Sequence, residues 1–205
     1  MEDAPRGHRD MRGFRTLSLA RDGLEECVRA AGAVLRGGGL VVGPTDTVYG
    51  VFCAWANAPA LERLYALKGR DQEKKLLALA ADKDMIAPRV GEAPPEELAR
   101  HWPGALTLVL PAREHPFGWD TIAFRVPDDA FSRALAVNLG EPFYAPSANP
   151  QGAPPAQNCE QAAAYFGAAA DLYIDGGEAR ETRASTLVSC LVSPPEVLRR
   201  GPVRI

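Results

Sequence analysis

A helical repeat that runs straight into a β-type run constrains this chain most. Leu24, Cys27, Val28, Ala31 and Leu35 recur three and four residues apart, which puts them on one face of a helix. Gly37-Gly38-Gly39 end that helix, and Leu40-Val41-Val42 follow at once as a short strand. The alternation continues. Asn57, just ahead of Pro59, caps a helix carrying Leu61, Leu64 and Leu67, and Leu76–Ala81 reads as a buried strand. Asp82 starts a helix through Ile86, and Pro94–Trp102 holds another. Leu106–Leu110 and Thr121–Val126 are strands, and Asp128 or Asp129 opens a helix with Phe131 and Leu135 inward. Phe143–Ala145 is a strand, Asn158 to about Phe166 a helix, and Asp171–Ile174, Thr186–Cys190 and Glu196–Leu198 close the chain as strands. Helices and strands in turn predict an α/β fold with a largely covered sheet.

The 205 residues suit one α/β domain, with no repeat and no low-complexity linker. Residues 16–205 are read as that domain. Residues 1–15 carry Arg6, Arg9, Arg12 and Arg15 and are read as an amino-terminal arm, either a mobile tail or a segment that touches a partner. The arm lacks the apolar stretch of a secretory signal, and no apolar run is long enough for a transmembrane helix. A hydrophobic share of 46% supplies a core, and a charged share of 24% argues against disorder. A net charge of −3 exerts no overall pull on nucleic acid or anionic membrane, so an anion site has to be a local basic pocket. Cys27, Cys53, Cys159 and Cys190 are far apart, without C-x-x-C spacing or histidine partners. That pattern disfavours zinc or a disulfide framework and points to a reduced, cytoplasmic setting.

Chemistry-bearing residues gather in polar islands beside the strands. Gly43-Pro44-Thr45-Asp46-Thr47-Val48-Tyr49-Gly50 reads as a strand end opening into a tight loop. Its hydroxyls and amides either face a ligand or cap a following helix. Lys68-Gly69-Arg70, with Lys74 and Lys75 soon after, places two cations around a glycine. Such a set either binds phosphate, through a point charge and a planar fork, or is a solvated helix end favoured by the dipole. Thr121 with Arg125, Ser147 with Asn149, Ser185-Thr186, and Arg199 complete the islands. Each alone reads as a turn or an edge. Together they describe a cleft for a polyanion and a small polar molecule, in which chemistry rests on positioning and charge neutralisation.

Several familiar constellations are excluded. There is no P-loop, no G-x-G-x-x-G after a strand and no G-x-S-x-G elbow. His8, His101 and His115 fall at a tail, a helix end and a loop, which disfavours a serine–histidine triad or a histidine metal site. Asp46 is the only carboxylate within the islands.

The motifs Pro44-Thr45-Asp46-Thr47-Val48-Tyr49-Gly50, Lys68-Gly69-Arg70, Lys74-Lys75-Leu76, Trp102-Pro103-Gly104 with Leu106-Thr107, Phe124-Arg125-Val126-Pro127, Ala145-Pro146-Ser147-Ala148-Asn149, Ser185-Thr186 and Leu198-Arg199-Arg200-Gly201-Pro202 run in this order over nearly the whole chain. In this the chain resembles the YrdC-type threonylcarbamoyl-AMP synthases, single-domain form. The resemblance implies a twisted, open mixed sheet flanked by helices around a basic cleft. It also implies the joining of L-threonine, bicarbonate and ATP into threonylcarbamoyl-AMP and pyrophosphate, the first step of threonylcarbamoyladenosine modification of tRNA.

Carried over to these positions, Thr47, Tyr49, Arg125, the Ala145 backbone and Ser185 would hold L-threonine. Lys68, Arg70, Lys74, Thr121, Ser147, Asn149 and Arg199 would hold ATP, with Lys68 and Arg70 as the catalytic pair and Mg²⁺ arriving with the nucleotide. Downstream partners would be the proteins that transfer the threonylcarbamoyl group to tRNA, with weak direct RNA binding as a further expectation. The chain departs from many relatives at Asp71 (proline), at Leu79 (histidine in two-domain forms), at Ala105 (proline) and at Ala184 (glutamate). Two alternatives stand beside this reading: a non-catalytic RNA- or nucleotide-binding module, and a paralogue with another acceptor.

Overall fold

The computed structural model describes residues 8–9 and 14–205. Its strands are β1 (His8–Arg9), β2 (Arg15–Ser18), β3 (Val41–Gly43), β4 (Gly50–Ala54), β5 (Leu77–Leu79), β6 (Leu106–Pro111), β7 (Thr121–Arg125), β8 (Phe143–Tyr144), β9 (Leu172–Asp175), β10 (Thr186–Ser189) and β11 (Glu196–Arg199). They form one open sheet in the order β1-β2-β9-β3-β4-β8-β5-β7-β6-β10-β11. It is mixed: β9 runs parallel to β2 and β3, β5 to β7 and β6 to β10, and the other pairs are antiparallel. Most of the expected amino-terminal arm lies outside the described residues; within it, His8–Arg9 pairs with Arg15–Thr16.

The pleat sends alternate residues to two separate cores. Val41, Phe52, Ala54, Phe143, Leu172 and Ile174 meet the helices Leu24–Arg36 and Ala130–Leu139 through Cys27, Ala31, Leu35, Phe131 and Leu135. Their neighbours Val42, Val51, Cys53, Tyr144 and Tyr173 point the other way. There they meet the helices Ala58–Lys68 and Cys159–Phe166 through Leu61, Leu64, Ala162 and Phe166. Each large apolar side chain buried this way contributes about 1.5–3 kcal/mol. The helices begin at their expected caps. Asn57 Oδ1 accepts from Ala60 N at 2.9 Å, and Asn158 Oδ1 accepts from Gln161 N at 2.9 Å. Of the two aspartates before Ala130, Asp129 is the cap, accepting from Ser132 N at 2.7 Å.

Three strands, β1, β2 and β4, escape the sequence pattern. β4 is buried on both faces, so Val51-Phe52-Cys53-Ala54 show no alternation of polarity. Gly50 starts β4 because space demands it: a Cβ there would lie 2.6 Å from Phe52 Cε1 and 3.3 Å from Pro146 O.

The half of the sheet towards β11 is covered on one face only. Leu106, Leu108, Leu110, Ile122, Phe124 and Val188 enter the second core. The opposite face of β6, β7 and β10 carries Thr107, Val109, Thr121, Ala123, Arg125 and Leu187. Of these, Val109, Thr121, Ala123 and Leu187 are part-exposed. That uncovered face is the floor of the cleft.

Candidate active site

Arg125, at the end of β7, is 2% exposed, and its charge is met by the loop after β3. Nη1 donates to Thr47 Oγ1 at 3.1 Å, Nη2 to Thr45 Oγ1 at 3.4 Å, and Nη2 lies 3.3 Å from Asp46 Oδ1. Burial lowers the guanidinium's pKa, with Asp46 and then Asp129 opposing. Asp46 Oδ2 accepts from Asp128 N at 3.1 Å, so this carboxylate ties the loop to the turn after β7. Thr45 Oγ1 donates to Val48 O at 2.8 Å and accepts from Thr47 N at 3.1 Å, which folds the loop on itself. Arg125 Nε has no partner although it is shut away from solvent, leaving one buried donor for an acceptor such as a carboxylate.

Lys68 and Arg70 diverge at a left-handed glycine. Gly69, at φ 57°, ends the Ala58–Lys68 helix, with Gly69 N bonded to Ala66 O and Arg70 N to Tyr65 O. The turn keeps Lys68 on the buried side, where Nζ donates to Ser147 O, and to Asn149 O at 2.6 Å. Burial, and secondly Arg70, lower the Lys68 pKa to about 8. Arg70 turns back on its own loop, Nε to Lys74 O at 3.1 Å and Nη2 to Lys75 O at 3.2 Å. Asp71 Oδ1 accepts from Glu73 N at 3.0 Å and caps the same loop.

Arg199 reaches the cleft through a slip in register. Val188 pairs with Val197, but Leu187 pairs with Arg199, so Leu198 is one residue extra. With even pairing, Arg199 would oppose Thr186 and face the covered side. The bulge moves it opposite Leu187, on the open face. There Nε donates to Ser185 O at 3.0 Å and Nη2 to Ser185 Oγ at 3.3 Å. Ser185 Oγ also lies 2.7 Å from Thr107 Oγ1, and both residues are fully buried. Partial desolvation lowers the Arg199 pKa first, and Arg125 and Arg70 lower it further, so three guanidiniums share one field.

Thr47, Tyr49, Arg125, Ala145, Ser147, Ser185 and Arg199 line a single narrow pocket of about 40 Å³, together with Thr45, Val48, Leu77 and Ala184. Lys68 and Asn149 join it from behind, through the Ser147 and Asn149 carbonyls. Tyr49 presents its ring only, because its hydroxyl donates to Gly177 O at 2.7 Å and accepts from Gly176 N at 3.0 Å. The Ala145 N–H is already given to Leu77 O at 3.1 Å. Arg70, Lys74 and Thr121 are outside this lining. Lys74 is exposed, and Thr121 Oγ1 accepts from Lys75 Nζ at 3.0 Å. Leu79, opposite Arg125 in the β5–β7 pair, is fully buried in the first core. Hollows of about 310 Å³ beside Trp102 and about 580 Å³ beside Trp55 and His115 contain none of these residues. Sequence reasoning gave no role to Thr107, which supports Ser185, or to the extra residue Leu198. A threonine inside an apolar strand and a bulge one residue before an arginine carry no local signal of their own.

The profile of the Sua5/YciO/YrdC family, described as "Telomere recombination", matches residues 33–201. The chain belongs to the Sua5/YciO/YrdC family. Threonylcarbamoyl-AMP synthase of Bacillus subtilis (strain 168) is 34% identical over 185 residues, covering 86% of this chain and 54% of that protein. The protein of the same name from Halorhodospira halophila is 37% identical over 157 residues, covering 73% of this chain and 82% of that protein. The crystal structure of P. abyssi Sua5 complexed with L-threonine aligns with a TM-score of 0.82 at 34% identity, over 90% of this chain and 56% of that one. This chain therefore spans about half the length of the B. subtilis and P. abyssi relatives. The family membership and the open mixed sheet expected from the motifs are both found.

Proposed function

We propose that this member of the Sua5/YciO/YrdC family is a threonylcarbamoyl-AMP synthase. One observation carries the reading: Arg125 and Arg199 line one hydroxyl-lined pocket, with Arg70 close enough for its charge to act on Arg199 and on Lys68. Among the described residues their ion pairing amounts to Arg125 with Asp46. Such an excess of positive charge calls for a polyanion beside a small carboxylate. The names of the B. subtilis and H. halophila relatives and the L-threonine bound to P. abyssi Sua5 support it.

L-Threonine would place its carboxylate on Arg125, Thr47 and Ser185, with Tyr49 and Ala145 shaping the wall. The threonine amine and bicarbonate give a carbamate and water. A carbamate oxygen then attacks the α-phosphorus of ATP, the bond to the bridging oxygen breaks, and pyrophosphate leaves. Lys68, Arg70 and Arg199, with Ser147 and Asn149, would hold the phosphates and nucleotide, with Lys74 and Thr121 meeting its outer part. The two cations at Gly69 would neutralise charge that grows on the leaving group. Mg²⁺ would enter as part of the ATP complex. Among the described residues no three carboxylate, histidine or cysteine side chains gather in a group that could hold a metal ion. The product would pass, in the cytoplasm, to proteins that transfer the threonylcarbamoyl group to tRNA.

The test is mass spectrometry of the product from ATP, bicarbonate and L-threonine, with pyrophosphate release followed in parallel. Release should require both threonine and bicarbonate and fall at least 100-fold in Lys68→Ala or Arg70→Ala. No release by the folded protein supplied with Mg²⁺, ATP, L-threonine and bicarbonate would end the proposal.

A further inference from the structure

The position of Arg199 depends on a register that its own strand specifies weakly. β11 lies at the edge of the sheet and all four of its residues are exposed, so little burial opposes a one-residue slip. Undoing the bulge at Leu198 would turn Arg199 to the other face of the sheet. Something beyond the strand has to fix it.

The chain leaving β11 is held at one hydroxyl. Thr186 Oγ1 accepts from Gly201 N at 3.0 Å and donates to Val203 O at 2.7 Å, so its proton is committed to the departing chain. Thr186 is 1% exposed, and the pleat points it away from the cleft face that carries Ser185 and Leu187. Gly201 is pressed against the same turn. A Cβ on it would lie 2.3 Å from Thr186 N, 2.5 Å from Ser185 C and 2.6 Å from Ala184 O. These are backbone atoms, which cannot swing aside. Neither Thr186 nor Gly201 lines the pocket. Arg199 and this clamp grip the Ser185-Thr186 pair from opposite faces.

We propose that Thr186 and Gly201 are positioning residues that pin the bulged register of β11 and so keep Arg199 in the cleft. The inference rests on reading Arg199 as a nucleotide contact. The test is calorimetric titration of the folded protein with Mg·ATP in a double-mutant cycle. Thr186→Val keeps the side-chain shape but removes the hydroxyl, and should weaken ATP binding about tenfold. Thr186→Ser keeps the hydroxyl and should stay within about twofold. In an Arg199→Ala background, Thr186→Val should cost nothing further, because the arginine it positions is gone. A purely structural role would lower affinity equally in both backgrounds. Equal losses, an unchanged Thr186→Val affinity, or an ATP affinity indifferent to Arg199→Ala would each overturn the clamp. Wild-type protein that binds ATP through Arg199 with this pattern, yet releases no pyrophosphate, would uphold the clamp and sink the proposed reaction.

Discussion

Arg125 Nη2 lies 3.3 Å from Asp46 Oδ1, and the two side chains are only 3% and 4% exposed. A charge pair at this depth is costly to break from one side, because the surviving charge stays buried without its partner. Asp46→Asn should therefore lower unfolding free energy by about 3–5 kcal/mol, as read from urea denaturation. It should also weaken L-threonine binding, since Asp46 holds both Arg125 and the turn at Asp128. A loss below about 1 kcal/mol would mean that the pair is solvated and not a fixed support for the pocket.

Gly69→Ala offers a cleaner separation of fold from site. A Cβ there would meet nothing within 4 Å, so the only penalty is the positive φ of 57°. That strain should cost about 1 kcal/mol of stability. Pyrophosphate release should suffer more, by at least tenfold, because the left-handed turn sends Lys68 to the Ser147 and Asn149 carbonyls and Arg70 back to the Lys74 and Lys75 carbonyls. Equal and small effects on stability and rate would show that the turn geometry is not what aims the two cations.

Thr107→Val tests the support beneath Ser185. The Thr107 hydroxyl lies 2.7 Å from Ser185 Oγ in a dry layer between β6 and β10. Removing it leaves Ser185 free to rotate and one buried acceptor or donor unpaired, an effect of about 1–3 kcal/mol. The KM for L-threonine should rise several-fold while Thr107→Ser restores it. Loss of thermal stability without any change in KM would confine Thr107 to the core.

How much of this was legible follows from where each signal lives. Cap residues announce helices locally, so Asn57 and Asn158 marked their starts in sequence and in space, and of the pair Asp128-Asp129 the structure selects Asp129. The hydroxyl, amide and arginine islands that meet in the pocket stand at strand ends, where pattern is readable. β4 was silent because burial on both faces erases alternation, and its Cys53-Ala54 end is a poor β signal. Register was silent too. Whether Arg199 faces the cleft or the core depends on the extra Leu198 and on what β11 pairs with, a long-range fact that no window along the chain contains. Tyr49 shows the same limit: its hydroxyl is spent on Gly176 and Gly177, more than a hundred residues away in sequence. Lys75 and Thr121 likewise meet only through the fold.

Lys68 supplies a prediction in pH. Burial first, and Arg70 second, lower its pKa from 10.5 to about 8. Between those values the folded protein binds fewer protons at this site than the unfolded chain does. Stability therefore rises with pH across that window, and the penalty of the buried ammonium is fully present only below it. Other groups oppose this. Burial raises the pKa of Cys27 to about 11 and of Tyr65 to about 12, so each loses stability as pH climbs past its unfolded value. The Lys68 contribution is thus best read as a difference. The stability of Lys68→Met minus that of wild type should fall by on the order of 2 kcal/mol between about pH 7.5 and pH 10. ATP affinity of the wild-type protein should weaken as pH rises through about 8, because the phosphates need the charged form, and Lys68→Met should lack that component. A stability difference that stays flat over this range would show that Lys68 keeps an ordinary amine pKa in its carbonyl cradle.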